Sequence, residues 1–332
     1  MTSRTISPLA ARRAFVVVAI LALVAVPFAI REVYYVNIAS QILLYAVFAL
    51  GLNVLVGYAG LVSLGHAGLF GVAAYVVASL LAAGHGHALA IAGGLVAGLF
   101  ATAGFAALAL RATGISFIMI TLALGEIIWG LAYRWISLTN GDNGISVASR
   151  PAPFGLSLAS ASGFYDATLI VFLAALAAVA IFVRSPLGAA LCGARDQPRR
   201  MNALGYHVWM IRFLAFMFSG LLTSIAGILF VYYNQFISPQ ALALTASAEG
   251  LLMVISGGAG TLLGPAVGAA LVVIVKNVVS AYITRWNFML GAIFVAIVVF
   301  MPEGLVPGAV RLVRSGWRAT GRRKTAIAGR KS

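Results

Sequence analysis

Three charged side chains sit inside apolar runs, where charge is expensive. Glu126 lies in Leu122-Ala123-Leu124-Gly125-Glu126-Ile127-Ile128-Trp129, Lys276 lies in Val275-Lys276-Asn277-Val278, and Glu249 opens the stretch that runs to Ile255. Placing Asp, Lys or Arg at the centre of a membrane helix costs about 2.5–3.5 kcal/mol on insertion scales, so such charges need a use. One use is a lined pathway or a proton-coupling site; the other is an interhelical bond or ion pair that fixes packing. Glu249 also suits the first turn of a helix, where the dipole favours an anion. Asn53, Ser63 and His66 are polar but uncharged and stand in Gly-rich stretches. They suit the wall of a solute path, and equally hydrogen bonds between helices.

Other chemistry is missing from the pattern. His85 and His87 are two apart in a Gly-rich loop and His66 and His207 stand alone, which is not the spacing of a zinc set. A single cysteine, Cys192, excludes an intramolecular disulfide. There is no G-x-S-x-G, no H-E-x-x-H and no close carboxylate pair. The nearest text to a phosphate-binding loop, Gly321-Arg322-Arg323-Lys324-Thr325, lacks the Gly before Lys. The expectation is a chain that is not an enzyme, carries no ATPase site of its own and needs no metal or cofactor.

The elements that hold these residues follow from composition. Of 332 residues, 62% are hydrophobic and 9% charged, with a mean hydropathy of +1.05, outside the range of water-soluble domains. Apolar runs long enough to cross a hydrocarbon layer of about 30 Å give ten expected spans: 14–30, 38–57, 61–83, 88–110, 114–136, 167–183, 213–233, 248–264, 265–283 and 287–302. The fold class is therefore all-α and polytopic. The first span follows Arg12 and Arg13 and passes Pro27 without a small-x-small cleavage site, so it is expected to be retained. Residues 14–302 form the transmembrane domain, between an N-terminal tail, 1–13, and a basic tail, 303–332.

The net charge of +15 raises the question of nucleic acid, but the basic residues sit at helix ends and in loops, with no aromatic-interleaved basic stripe. They set orientation instead. With the N-terminus cytoplasmic, the inner side collects Arg4, Arg12, Arg13, Arg111, Arg184, Arg195, Arg199, Arg200, Arg212 and the tail's Arg and Lys residues from Arg311 to Lys331. The outer side receives Arg31, Arg134, Arg150 and Arg285. The even span count puts the C-terminus inside as well. That parity requires 248–264, with its Ser256-Gly257-Gly258-Ala259-Gly260 break, to cross as a broken helix.

The break has a counterpart in the first half. Gly57-Tyr58-Ala59-Gly60 followed by Leu64-Gly65-His66-Ala67 shares wording with Gly257-Gly258-Ala259-Gly260 followed by Leu263-Gly264-Pro265-Ala266. Matched Gly/Pro interruptions point to a path at the membrane midplane, because unwound backbone is tolerated only against protein or a water-filled cavity; close helix packing by small residues is the other reading. Between the halves lie an external, turn-rich loop, 137–166, and a basic internal segment, 184–212, too polar to cross.

These phrases, in order, resemble the permeases of branched-chain amino-acid ABC transporters, the LivM family. The likeness rests on Gly51-Leu52-Asn53-Val54-Leu55-Val56-Gly57-Tyr58-Ala59-Gly60 through Ser63-Leu64-Gly65-His66-Ala67 to Gly71 and Tyr75, on Thr121-Leu122-Ala123 with Glu126, and on Leu138-Thr139-Asn140-Gly141 with Asn143-Gly144-Ile145. It continues in Arg184-Ser185-Pro186-Leu187-Gly188, Ala203-Leu204-Gly205, Phe213-Leu214-Ala215-Phe216, Ala226-Gly227, Ser238-Pro239 and Gly257 to Pro265. The resemblance implies a multi-pass inner-membrane subunit that works by alternating access. Its implied partners are a second homologous permease, two cytoplasmic ATP-binding subunits and a periplasmic solute-binding protein. It also implies that 184–212 is the coupling loop, with Arg195, Asp196 and Gly205 at matching positions; Gln197-Pro198-Arg199-Arg200 departs from the more acidic or Ala-rich stretch common in the family. Asn53, Ser63, His66, Glu126 and Glu249 are the expected path residues. The implied solutes are Leu, Ile and Val, other amino acids, urea or short amides. The rival from another class is a proton-coupled secondary transporter using Glu126 or Lys276 as carrier.

Overall fold

The computed structural model describes residues 32–147, 160–282, 286–301 and 304–308, with residue 311. The expected first span, the 1–13 tail, most of the 303–332 tail and Pro151 and Pro153 of the external loop lie outside the described residues. Each of the other expected spans overlaps a helix, though 61–83 and 248–264 each include an unwound stretch, at 61–65 and 258–263. They are α1 (Val33–Asn53), prolonged by a π-helical turn Val54–Ala59, then α2 (His66–Ala82), α3 (His87–Ala109), α4 (Ile115–Arg134), the short α5 (Ile136–Thr139) and α6 (Ala161–Arg184). The second half holds α7 (Pro186–Asp196), α8 (Pro198–Ala203), α9 (Val208–Asn234), α10 (Leu244–Gly257), α11 (Gly264–Tyr282) and α12 (Trp286–Phe300). The chain is an all-α polytopic membrane protein. Its described sheet is one antiparallel pair of two-residue strands, β1 (Ile145–Ser146) and β2 (Phe236–Ile237), with Ile145 opposite Ile237.

Position in the bundle follows side-chain character. α1 with its π turn packs against α6, α9, α10 and α11 and is the central element. Leu44, Val47, Leu50, Leu52 and Leu55 are wholly buried on it. α3, α4 and α6 are peripheral and keep apolar side chains such as Phe100, Ile127 and Ile181 exposed, as membrane helices do where they meet lipid rather than water. α1 with its π turn, α3, α4, α6 and α9 are each long and apolar enough to cross. α2 and α10, of 17 and 14 residues, are short because the chain is unwound beside each of them, at 60–65 and 258–263.

α10 and α11 form an antiparallel hairpin: Gly257 abuts Gly264, Gly268 abuts the Met253 carbonyl, and Glu249 pairs with Lys276. Their connecting turn, 258–263, lies beside Gly57, and the chain after α12 brings Gly304 back against Gly258. The broken arm thus reaches the end of the bundle that holds Arg195, and the β1/β2 pair closes the opposite end.

Candidate translocation path and coupling contact

The two broken segments that share wording pack directly on one another, and Asn53 joins them. Its Nδ2 donates to the Thr261 carbonyl at 2.9 Å and its Oδ1 accepts from the Gly260 N–H at 2.9 Å. Both backbone groups belong to a turn with no ladder of its own, so a buried amide that offers one donor and one acceptor satisfies them together. The contact needs glycine. A Cβ on Gly57 would fall onto the backbone of Gly260, and one on Gly260 would lie 3.3 Å from the Gly57 carbonyl oxygen.

Ser63 and His66 hold the other side of the first break. His66 is wholly buried, with Nδ1 2.8 Å from Ser63 Oγ and Nε2 2.9 Å from Ser219 Oγ. Ser219 spends its proton on the Gly51 carbonyl at 2.6 Å, so it accepts from His66, which assigns the Nε2–H tautomer and makes Ser63 the donor to Nδ1. Buried amides in and just after the break are also satisfied from a distance: Ala67 N–H, in the first turn of α2, donates to Ser247 Oγ on α10 at 3.0 Å. Leu64 N–H reaches Thr121 Oγ1 on α4 at 3.3 Å. Asn53, Ser63 and His66 are therefore buried, hydrogen-bonded framework of the unwound stretch.

The basic segment 184–212 is anchored at the same place. Ser185 caps α7, accepting from Gly188 N–H at 3.2 Å, and Pro186 fills the first helical position, where no N–H is needed. At the other end of α7, Arg195 donates from Nη1 to the Gly57 carbonyl at 2.8 Å and from Nε to Asp196 Oδ1 at 2.8 Å. A guanidinium here satisfies a carbonyl that the π turn leaves open and complements the negative end of the long α1. Asp196 holds the Arg195 guanidinium still further above its usual range, so the group stays cationic. Gly60, with φ +68°, leaves room for the Arg195 stem; a Cβ there would lie 2.7 Å from Arg195 Cγ. Arg212, at the start of α9, donates to the Ala194 carbonyl at 3.1 Å. Gly205 sits at φ +86° after α8, with open space around it.

Toward the opposite end, α1, α2, α9, α10 and α11 enclose a cavity of about 390 Å³. Tyr45, Phe48, Phe70 and Phe230 line it, with Glu249 and Lys276 set into the wall. Lys276 Nζ donates to both Glu249 oxygens, at 3.2 and 3.3 Å. α10 begins at Leu244, so Glu249 lies in its second turn, and the first-turn dipole reading gives way to the interhelical pair. Joined to the lining residue Gln240 is the Leu138-to-Ile145 phrase, folded back on itself. Thr139 Oγ1 donates at 2.7 Å toward the Ala132 and Trp135 carbonyls, Asn140 takes φ 60° and bonds the Gly144 carbonyl, and Asp142 Oδ1 accepts from Gln240 at 2.8 Å. Glu126 is apart from this site, half-buried on the flank of peripheral α4 beside Gly125, which packs on Gly65.

Residues 34–298 match the family model described as a branched-chain amino acid transport system permease component. The chain belongs to this family. It is 30% identical over 296 residues to the high-affinity branched-chain amino acid transport system permease protein LivM of Salmonella typhimurium, covering 82% of this chain and 70% of that protein. Against the protein of the same name from Escherichia coli it is 30% identical over 320 residues, or 89% and 75% of the two chains. No solved structure matches. As a permease of this family the chain is a multi-pass protein of the bacterial inner membrane. Three features of the permease escaped sequence reasoning: Ser219 and Ser247, which hold the first break from α9 and α10; Thr261, clasped by Asn53; and the pairing of Lys276 with Glu249. Serines within apolar helices are a weak signal, and the pair required the α10/α11 register.

Proposed function

We propose that this chain is the permease subunit of an ATP-driven importer that carries branched-chain or closely related amino acids by alternating access. It works with a second homologous permease, two cytoplasmic ATP-binding subunits and a periplasmic solute-binding protein. The 1–13 and 303–332 tails and the 184–212 coupling loop lie in the cytosol, and the Glu249/Lys276 cavity faces the periplasm. The observation that carries the reading is the Arg195 hydrogen bond to the Gly57 carbonyl. Through it the coupling segment grips a point where both broken segments meet, since Gly57 abuts Gly260 and Asn53 clasps Gly260 and Thr261. A displacement of α7 by an ATP-binding subunit is passed to both breaks at once, because close-packed contacts have little compliance. The names of the relatives support the substrate class.

The test is uptake of labelled leucine into proteoliposomes that hold the assembled subunits, with binding protein outside and ATP inside. The reading expects uptake that requires ATP hydrolysis and survives a protonophore. Uptake that collapses with the protonophore and ignores ATP would establish the proton-coupled alternative.

A further inference from the structure

The cavity between α1, α2, α9, α10 and α11 sets opposite charges between an aromatic side, Phe48, Phe70 and Phe230, and a polar side, Asn234, Ser238, Gln240 and Thr245. Glu249 and Lys276 pair at 3.2 Å, yet their side chains remain 20% and 35% exposed, and both line the open space. Stability does not account for the pair. A partly buried ion pair is commonly replaceable by apolar residues of similar volume without loss, and each charge carries an insertion cost in the membrane. What the pair supplies is an acceptor and a donor of full charge side by side. An α-amino acid carries the complementary groups on a single carbon. When its ammonium donates to Glu249 and its carboxylate accepts from Lys276, the two protein charges exchange one partner for another and none is left unpaired. The neighbouring surface suits an apolar side chain: Phe48, Phe70 and Phe230 form one wall, and Ala67 and Ala246 leave the width. The volume of about 390 Å³ falls within the range of pockets that enclose small ligands.

We infer that Glu249 and Lys276 form the binding point for the ammonium and carboxylate of a zwitterionic α-amino acid, with its apolar side chain against Phe48, Phe70 and Phe230. This rests on the permease reading above and names the solute's contact within it.

The experiment uses the assembled transporter in nanodiscs, with Cys192→Ser and the cavity reporter Thr245→Cys. Labelling of the reporter by methyl methanethiosulfonate is followed by mass spectrometry of this chain. L-leucine slows labelling, whereas 3-methylbutylamine, which lacks the carboxylate, and 4-methylpentanoate, which lacks the ammonium, do not at the same concentration. Glu249→Gln and Lys276→Gln each weaken protection by leucine about tenfold or more, the loss expected of one charge-assisted hydrogen bond. The exchange Glu249→Lys with Lys276→Glu keeps an ion pair but reverses its polarity, and does not restore protection. Equal protection by all three probes, no protection by leucine, or full protection in the exchanged variant overturns the inference and leaves the pair a packing device. ATP-dependent uptake by the unlabelled complex is measured alongside. Its absence defeats the permease reading and the inference with it; its presence, with protection unchanged in the variants, defeats the inference alone.

Discussion

Asn53 offers one donor and one acceptor to two backbone groups that lie more than two hundred residues along the chain, and few side chains can do both. Asn53→Leu keeps the forked side-chain shape, is bulkier, and leaves the Gly260 N–H and the Thr261 carbonyl unpaired. The expected loss is about 1–3 kcal/mol for each group, read as a lower denaturation midpoint of the purified chain; an unchanged midpoint would show that water or neighbouring groups take over. Ser219→Ala removes the acceptor for His66 Nε2–H and the donor to the Gly51 carbonyl together. It is expected to destabilise by a similar amount, while Ser162→Ala, on a side chain away from this network, is expected to leave the midpoint in place. At this scale the sequence was informative about residue type and silent about partners. Asn53, Ser63 and His66 stand out as polar residues in Gly-rich text, but beyond the local Ser63–His66 bond their partners are Ser219 on α9 and the 258–263 turn, neither of which is near in sequence.

At the scale of elements, glycine decides which helices approach closely. A Cβ on Gly268 would meet the Met253 carbonyl, while one on Gly104 meets nothing. Gly268→Ala is therefore expected to open the α10/α11 hairpin and lower the denaturation midpoint, and Gly104→Ala to hold or raise it, since alanine favours a helix by about 1 kcal/mol; equal effects would contradict the packing described. Gly205 differs in kind: its surroundings are open, and only its φ of +86° restricts it. Gly205→Val is expected to distort the coupling segment and uncouple transport from hydrolysis with insertion intact, and Gly205→Asn to do less, because asparagine tolerates the left-handed region. Normal uptake by the valine variant would remove 184–212 from the coupling pathway. Helices were legible because an apolar run of membrane length satisfies its backbone in lipid only by coiling into a helix. The start of α10 was not, because Thr245 and Ser247 read as loop residues, whereas Ser247 is needed inside to satisfy the first amides of α2. The shared Gly wording of the two breaks was legible, but sequence could not show that they touch.

Across the whole molecule, one end holds Arg195, Gly57, Gly260 and the helices α7 and α8, and the other holds the cavity with its Glu249/Lys276 pair. The proposed alternating access uses this division as a driven end and a solute-receiving end, joined by closely packed elements. Among the described residues, the Arg195 hydrogen bond is the polar contact that leads from α7 into the breaks, so the proposed mechanism turns on it. Arg195→Met keeps the length of the stem beside Gly60 and removes the donor to the Gly57 carbonyl. Its decisive measurement is ATP hydrolysis and leucine uptake in the same proteoliposomes. The expected result is that hydrolysis stimulated by the binding protein continues while uptake per ATP falls about tenfold or more, the equivalent of one charge-assisted hydrogen bond. Uptake per ATP equal to that of the unaltered transporter would contradict the coupling mechanism.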